Sequence, residues 1–372
     1  MKTRFWYLMI VLLVLVALTA CGPAATEEAP AEEAAPAEEA PTEEIAPAEE
    51  EPAPEEGGVY VVGYLVPNSA EGQIMFMESF KRYAEELGID VIDVNADNNV
   101  EEQDRQCSDL IAQGVSALVT VPVDSEAIVA CVDRATEAGI PVFGIDRQPF
   151  SADTVMTVMS NNYQAGQQGA QCVVDRLTER YGEPTGVVLE ITGDLGTNVA
   201  QLRGNGFNEE MANYPDIEVI TQPTDWLPET GADVVQSTLA AEPELDAVYW
   251  HSDFTGAGVI PAMEEIGFLK PLDDEDHIFV CGIDGDPASL DRIRAGSQDA
   301  TVNQPMLDFG VLAEFVKKYL DGEELSTGTY EQDGAMWSPA EIEDTEYGLT
   351  MLLGTWLVTQ DNVEDPTLWG NQ

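Results

Sequence analysis

From Val59 onward, apolar runs of strand length alternate with stretches whose apolar residues recur at three- and four-residue spacing. That alternation predicts strands over 59–66, 89–94, 117–121 and 142–145, separated by helices over 71–87, 100–113 and 124–138. Gly88, Gly114 and Gly139 follow the helices, where glycine commonly ends one, and Asp124 or Ser125 can cap the third. The pattern then restarts. Strands are predicted over 154–159, 186–191, 217–221, 247–250, 278–283 and 300–303, each followed by a helix: 163–180, 197–213, 229–240, 255–266, 288–294 and 306–320. Apolar strands joined through helices describe a parallel sheet covered on both faces. The strand end Phe143-Gly144-Ile145-Asp146 has a near copy in Cys281-Gly282-Ile283-Asp284. The expected fold is α/β, as two Rossmann-like lobes with parallel sheets rather than one doubly wound sheet.

Ligands of open α/β sheets bind beyond the carboxyl ends of the strands. The run from Gly139 to Gln148 puts two full charges, Asp146 and Arg147, at such an end. A carboxylate and a guanidinium there offer acceptors and a fork of donors to one small polar molecule. Two facing lobes make a cleft lined by such ends, so Asn68, Asp97, Asn162, Trp226, Asp253, Asp284 and Gln304 join the candidates. Carboxylates, amides and arginine suit hydroxyls, and an indole face suits the C–H side of a sugar ring. By composition this is a polyol or sugar site.

The N-terminus changes the cellular setting. Lys2 and Arg4 precede an apolar run over 5–18 that ends in Leu18-Thr19-Ala20-Cys21. This describes a secretory signal over 1–20, too short for a membrane span. Leu-Thr-Ala-Cys resembles the bacterial lipobox, which implies cleavage before Cys21 and lipidation of its thiol. Residues 22–58 are built mainly from Ala, Glu, Pro and Thr, with thirteen Glu, no Lys or Arg, and Ile45 as the one large apolar residue. Such a segment cannot bury enough apolar surface to fold, so 21–58 is expected to be a disordered tether. The net charge is −55, and 57 acidic residues face 13 basic ones from Val59 on. That excludes nucleic acid as a partner, because phosphate binding needs basic patches. An exported chain permits disulfides. Cys107 and Cys131 lie on consecutive predicted helices, where a bridge and two buried free thiols are both open readings.

Other chemistries fit less well. His251-Ser252-Asp253 cannot form a relay, because neighbours along a strand point to opposite faces. The stretch from Asp93 resembles a calcium loop but has Asn98 where glycine is needed and Asp104 in place of the terminal Glu. The glycines at 193, 196, 204 and 206 miss the phosphate-binding spacings. Asp146 and Asp284 could serve as a glycosidase pair, but two moving lobes would not hold them at a fixed separation. No metal or cofactor is expected.

The motifs Val94-Asn-Ala-Asp-Asn-Asn, Val121-Pro-Val-Asp-Ser, Met159-Ser-Asn-Asn, Leu202-Arg-Gly-Asn-Gly-Phe, Gly282-Ile-Asp-Gly and Ala300-Thr-Val-Asn-Gln304, with the 139–148 run, carry a resemblance. Over about 59–370 the chain resembles the periplasmic sugar-binding proteins of bacterial ABC importers, of the ribose, galactose and xylose type. The resemblance implies the type I periplasmic binding protein fold, with a three-segment hinge crossing near Ser160, Gln304 and Tyr330. The N-terminal lobe would be 59–160 plus 305–330, and the C-terminal lobe 161–304 plus 331–372. It implies that Asp146 and Arg147 bind hydroxyls from the first lobe and that Ser160 and Asn162 contribute at the first crossing. Trp226 matches the stacking aromatic, Ser252 and Asp253 the pair that bonds the sugar, and Asp284 and Gln304 the second lobe's carboxylate and hinge glutamine. Gln201 stands where the family has a sugar-binding arginine, with Arg203 two residues on. The loop from Asn68 to Gln73 lacks two phenylalanines of the ribose type, and its two end residues are counted as ligand-binding. The implied function is capture of a monosaccharide or polyol and its delivery to an ABC permease, by a monomeric, lipid-anchored, extracytoplasmic protein that is not an enzyme. The alternatives are a sensor that presents ligand to a chemoreceptor or histidine kinase and, behind it, an extracytoplasmic glycoside hydrolase.

Overall fold

The alternation of apolar strands and amphipathic helices builds two sheets. The computed structural model describes residues 59–372, so the expected signal, Cys21 and the 22–58 tether lie outside the described residues. The first half contains β1 (Tyr60–Val66), α1 (Glu71–Glu86), β2 (Ile89–Asn95), α2 (Val100–Gln113), β3 (Ala117–Thr120), α3 (Val129–Glu137), β4 (Val142–Ile145) and β5 (Thr154–Ser160). The chain then crosses to α4 (Asn162–Tyr181), β6 (Gly186–Thr192), α5 (Asn198–Met211), β7 (Ile217–Pro223), α6 (Pro228–Ala241), β8 (Ala247–Trp250), α7 (Asp253–Glu265), β9 (Phe279–Asp284), α8 (Pro287–Ala295) and β10 (Ala300–Asn303). It returns through a short 3-10 turn to α9 (Leu312–Leu320), β11 (Gly328–Tyr330), β12 (Ala340–Thr345) and β13 (Gly348–Leu353), and ends in β14 (Trp356–Val358) and a tail.

The first sheet has the order β11-β12-β13-β5-β4-β3-β1-β2 and the second β14-β10-β9-β8-β6-β7. Strands β1 to β5 and β6 to β10 run parallel within their sheets. This is the two-lobed α/β fold that the periodicity predicts. One boundary differs. The third crossing does not fall near Tyr330, and 331–353 does not belong to the second lobe. Instead β13 pairs in parallel with β5, from Leu349 opposite Met156 to Leu353 opposite Ser160. Trp337, Ile342, Met351 and Leu353 are buried in the first lobe's core. Without this strand β5 would be an exposed edge beside the hinge. Only after Leu353 does the chain cross, and β14 then pairs antiparallel with β10.

Local chemistry ends the elements where the strands need to release their side chains. Asn99 and Asn161 cap α2 and α4 by accepting the backbone N–H of Glu102 and Gln164. Gly114 ends α2 at φ 72°, a conformation that costs glycine little. Asp124 accepts N–H groups of Glu126 and Ala127, so it closes a turn, and the regular α3 begins only at Val129. Cys107 of α2 and Cys131 of α3 are joined as a disulfide, which resolves the two open readings, while Cys172 and Cys281 are free and buried.

Candidate functional site

The carboxyl ends of β1, β4, β8, β9 and β10 meet around one cavity of about 270 Å³ between the lobes. That volume is just below the usual range of about 300–1,000 Å³ for ligand pockets and suits one small ring rather than a chain. Its walls hold Asn68, Gln73, Phe76, Asp97 and Asn98 from the first βα units, and Asp146 and Arg147 from the end of β4. Arg203, Trp226, Ser252, Phe254 and Asp284 come from the second lobe, and Gln304 and Met306 from the hinge.

Backbone conformation singles this cavity out. Among the described residues, the non-glycine residues with positive φ are Asp97, Asn98, Asp146, Trp226 and Asp284, and all five line it. Such conformations cost about 1–3 kcal/mol each and persist only where surrounding structure holds them. At Asp146 (φ 63°) the chain turns sharply, with Arg147 N–H donating to Ile145 O at 2.6 Å and Asp146 N–H to Val158 O at 2.9 Å. The turn aims both charged side chains along the end of the sheet into the cleft.

The two jaws carry paired charges. Asp146 accepts Gln73 Nε2–H at 3.2 Å, with Arg147 Nε 3.8 Å away. Arg147 spends one donor on Pro122 O at 2.9 Å. Both side chains are buried. Burial pushes the Asp146 carboxyl up from its ordinary value, and Arg147, Gln73 and Arg203 oppose this. In the second lobe, Asp284 accepts from Ser252 Oγ at 2.7 Å, from Arg203 Nη1 at 3.3 Å and from Gln304 Nε2. Burial pushes Asp284 up to about 7, against the Arg203 guanidinium, with the Asp253 charge adding to the rise. The Trp226 ring centre is 5.6 Å from the Arg147 guanidinium carbon and 6.0 Å from that of Arg203. The ring also packs on Gly193, where a Cβ would come within 2.2 Å of it.

The lobes also bond each other directly. Ser125 N–H donates to Gly196 O at 3.1 Å, Asn198 N–H to Ser125 Oγ at 3.2 Å, and Gln148 N–H to Asn198 Oδ1 at 3.0 Å. The cleft is therefore closed.

Of the residues expected at the site, Asn68, Gln73, Asp97, Asp146, Arg147, Arg203, Trp226, Ser252, Asp284 and Gln304 come together around the cavity. Four do not line it. Asp253 is fully buried, and its carboxylate accepts from Trp250 Nε1 (2.9 Å), Gln298 Nε2 (3.1 Å), Thr301 Oγ1 (2.6 Å) and Gly285 N (2.9 Å), so no acceptor capacity faces the cleft. Gln201 is exposed and donates to Leu195 O at 2.8 Å. Asn162 sits behind Arg203, accepting its Nε–H at 2.8 Å, and Ser160 is buried beneath the hinge strands. Phe76, Phe254 and Met306 line the cavity and were not anticipated. Phe76 lies three residues after Gln73, hence on the same face of α1, which is the signal that could have found it. Among the described residues no group of three or more His, Cys, Asp or Glu side chains is placed to hold a metal ion.

This geometry has relatives. The chain is 28% identical over 253 residues to the ribose import binding protein RbsB of Salmonella typhimurium, covering 68% of this chain and 81% of that protein. It is 31% identical over 243 residues to RbsB of Bacillus subtilis, covering 64% and 74%. The crystal structure of a galactofuranose binding protein superposes with a TM-score of 0.69 at 25% identity, over 83% of this chain and 97% of that one. Residues 62–324 match the family described as the periplasmic binding protein domain. The two lobes, the closed cleft between them and that match together place the chain in the periplasmic binding protein domain family.

Proposed function

We propose that the chain captures one monosaccharide or polyol in the cavity and releases it to an ABC permease, working as a monomer outside the cytoplasm and held to the membrane by a lipid on Cys21. The observation that carries the ligand class is a set of unmet hydrogen bonds. Gln73 Oε1, Gln304 Oε1 and Trp226 Nε1 are buried, belong to cavity-lining side chains and have no partner. Leaving such a group buried and unpaired costs about 1–3 kcal/mol. A ligand that donates to the two amide oxygens and accepts from the indole relieves all three, and hydroxyl groups do both. The indole face, with Phe76 and Phe254, suits the C–H surface of a ring. Relatives named for ribose, D-xylose, D-apiose and xylitol support the same class. Binding rather than turnover suits a cavity whose two carboxylates sit on separate lobes. Ligand contacts made only when the lobes meet favour the closed form, which is the form a permease would receive.

The experiment is a thermal-shift panel of D-ribose, D-xylose, L-arabinose, D-galactose, xylitol and myo-inositol. At least one should raise the melting temperature, and Asp146→Ala should abolish that rise while leaving the circular dichroism spectrum unchanged. A panel without any shift, or an equal shift in Asp146→Ala, would overturn the reading.

A further inference from the structure

The family match ends at residue 324, yet the tail beyond β14 reaches back to the cavity from behind. Val363 and Leu368 are buried against Leu290 and Ile293 of α8. Arg294 of α8 bonds Glu364 at 3.0 Å and also Asn371. These contacts seat a short 3-10 turn, Trp369–Asn371. Trp369 is buried, and its Nε1–H donates to the backbone carbonyl of Asp284 at 2.8 Å. The same carbonyl accepts Gln304 N–H at 3.1 Å, and the N–H on the other edge of that peptide, from Gly285, donates to Asp253 at 2.9 Å. The peptide after Asp284 is thus clamped on both edges, at a residue whose φ of 133° no non-glycine residue adopts without support.

We propose that Trp369 is a positioning residue for ligand capture: by holding the 284–285 peptide it fixes the direction in which the Asp284 carboxylate enters the cavity. The inference rests on reading the cavity as the ligand site. Trp369 does not line that cavity, so its effect passes through Asp284. The carboxylate it aims is surrounded by Arg203 of α5, Asp253 of α7 and Asp286 ahead of α8, with Ser252 and Gln304 as neutral partners. A small rotation changes all of these distances, so the carboxylate's own titration reports on the clamp.

The test uses the full chain and two readouts. The first needs no ligand: the pH titration of the Asp284 carboxyl by carbon NMR, assigned with Asp284→Asn. The second is the affinity for whichever of the six panel sugars stabilises the wild type most. Trp369→Phe keeps most of the ring and loses the N–H. It should move the Asp284 midpoint and weaken binding about two- to tenfold, the range of one lost hydrogen bond. Gly370→Ala is the second variant, for the case in which Trp369→Phe does not fold. Its Cβ would fall 2.6 Å from Gly285 O, so it presses on the next peptide, 285–286, displaces Gly285 against the clamped one and should also move the Asp284 midpoint. Asp361→Asn, at the exposed start of the tail, should change neither readout. An unmoved Asp284 midpoint in both Trp369→Phe and Gly370→Ala overturns the inference. If no panel sugar binds the wild type, the functional proposal fails while the titration still decides the role of Trp369.

Discussion

Asn198→Ala should weaken ligand binding although Asn198 does not line the cavity. In the closed form its Oδ1 is the acceptor for Gln148 N–H at 3.0 Å, and both residues are buried there. Removing the acceptor strands a buried N–H across the lobe boundary. When the lobes part, the same N–H faces water and costs nothing. The change therefore acts on the closed form alone, by about 1–3 kcal/mol, which is roughly 5- to 150-fold in the closing equilibrium. If the free protein rests open, the whole factor appears in the apparent Kd. Ser125→Ala should act in the same direction, because it removes the acceptor for Asn198 N–H. Asn198→Ala keeps the backbone N–H that Ser125 Oγ accepts, so the two variants remove different bonds and the double variant should lose about the sum of the two. Calorimetric titration with the strongest panel sugar measures Kd, and small-angle scattering of the free protein measures opening. Wild-type Kd and wild-type radius of gyration in Asn198→Ala would refute the argument that direct bonds between the lobes set affinity.

Gly193→Ala would place a Cβ 2.2 Å from the Trp226 ring and push the indole into the cavity. Sugar-induced stabilisation should fall at least tenfold in apparent affinity, and retained affinity would show that the indole has room to yield. Reducing the Cys107–Cys131 bridge, which closes a separation of 24 residues, should lower stability by about 3 kcal/mol. Equal urea midpoints with and without reductant would count against that figure. Asp284 titrates at about 7 in the folded chain, raised first by burial, and near 3.9 when unfolded. The folded state then holds the extra proton between those values. This group's contribution is fully present below about pH 4 and is lost as pH rises toward 7. Asp284→Asn should flatten the fall in stability between pH 5 and pH 7 seen by urea unfolding, and an unchanged slope would sink the assignment.

Much of the fold was legible because it is local. Strand-length apolar runs ending in glycine-bounded helices specify βα units one at a time, and the repeated Gly-Ile-Asp end pointed to Asp146 and Asp284 as opposing jaws. What failed was long-range or rotational. The β13–β5 pairing joins residues nearly two hundred positions apart, so no periodicity announces it, and the third crossing was placed too early. Gln201 and Arg203 differ by two positions on α5, which turns them about 200° apart, so only one can face the cleft. Matching letters favoured both, and packing against Asn162 and Asp284 selects Arg203. Asp253 looked like a cleft residue because it follows a strand. It opens α7 instead, and its side chain turns back to tie β9 and β10 together.

The five left-handed or extended-left residues around the cavity set evolution and engineering against each other. Glycine at 97, 98, 146, 226 or 284 would relieve backbone strain and strip a side chain from the cavity wall in the same step. Selection for heat resistance alone would drift toward glycine at these positions and leave a sturdier protein with an emptied site. Screens for a more durable sensor built on this chain need ligand present throughout, so that occupancy and not bare stability decides which variants survive.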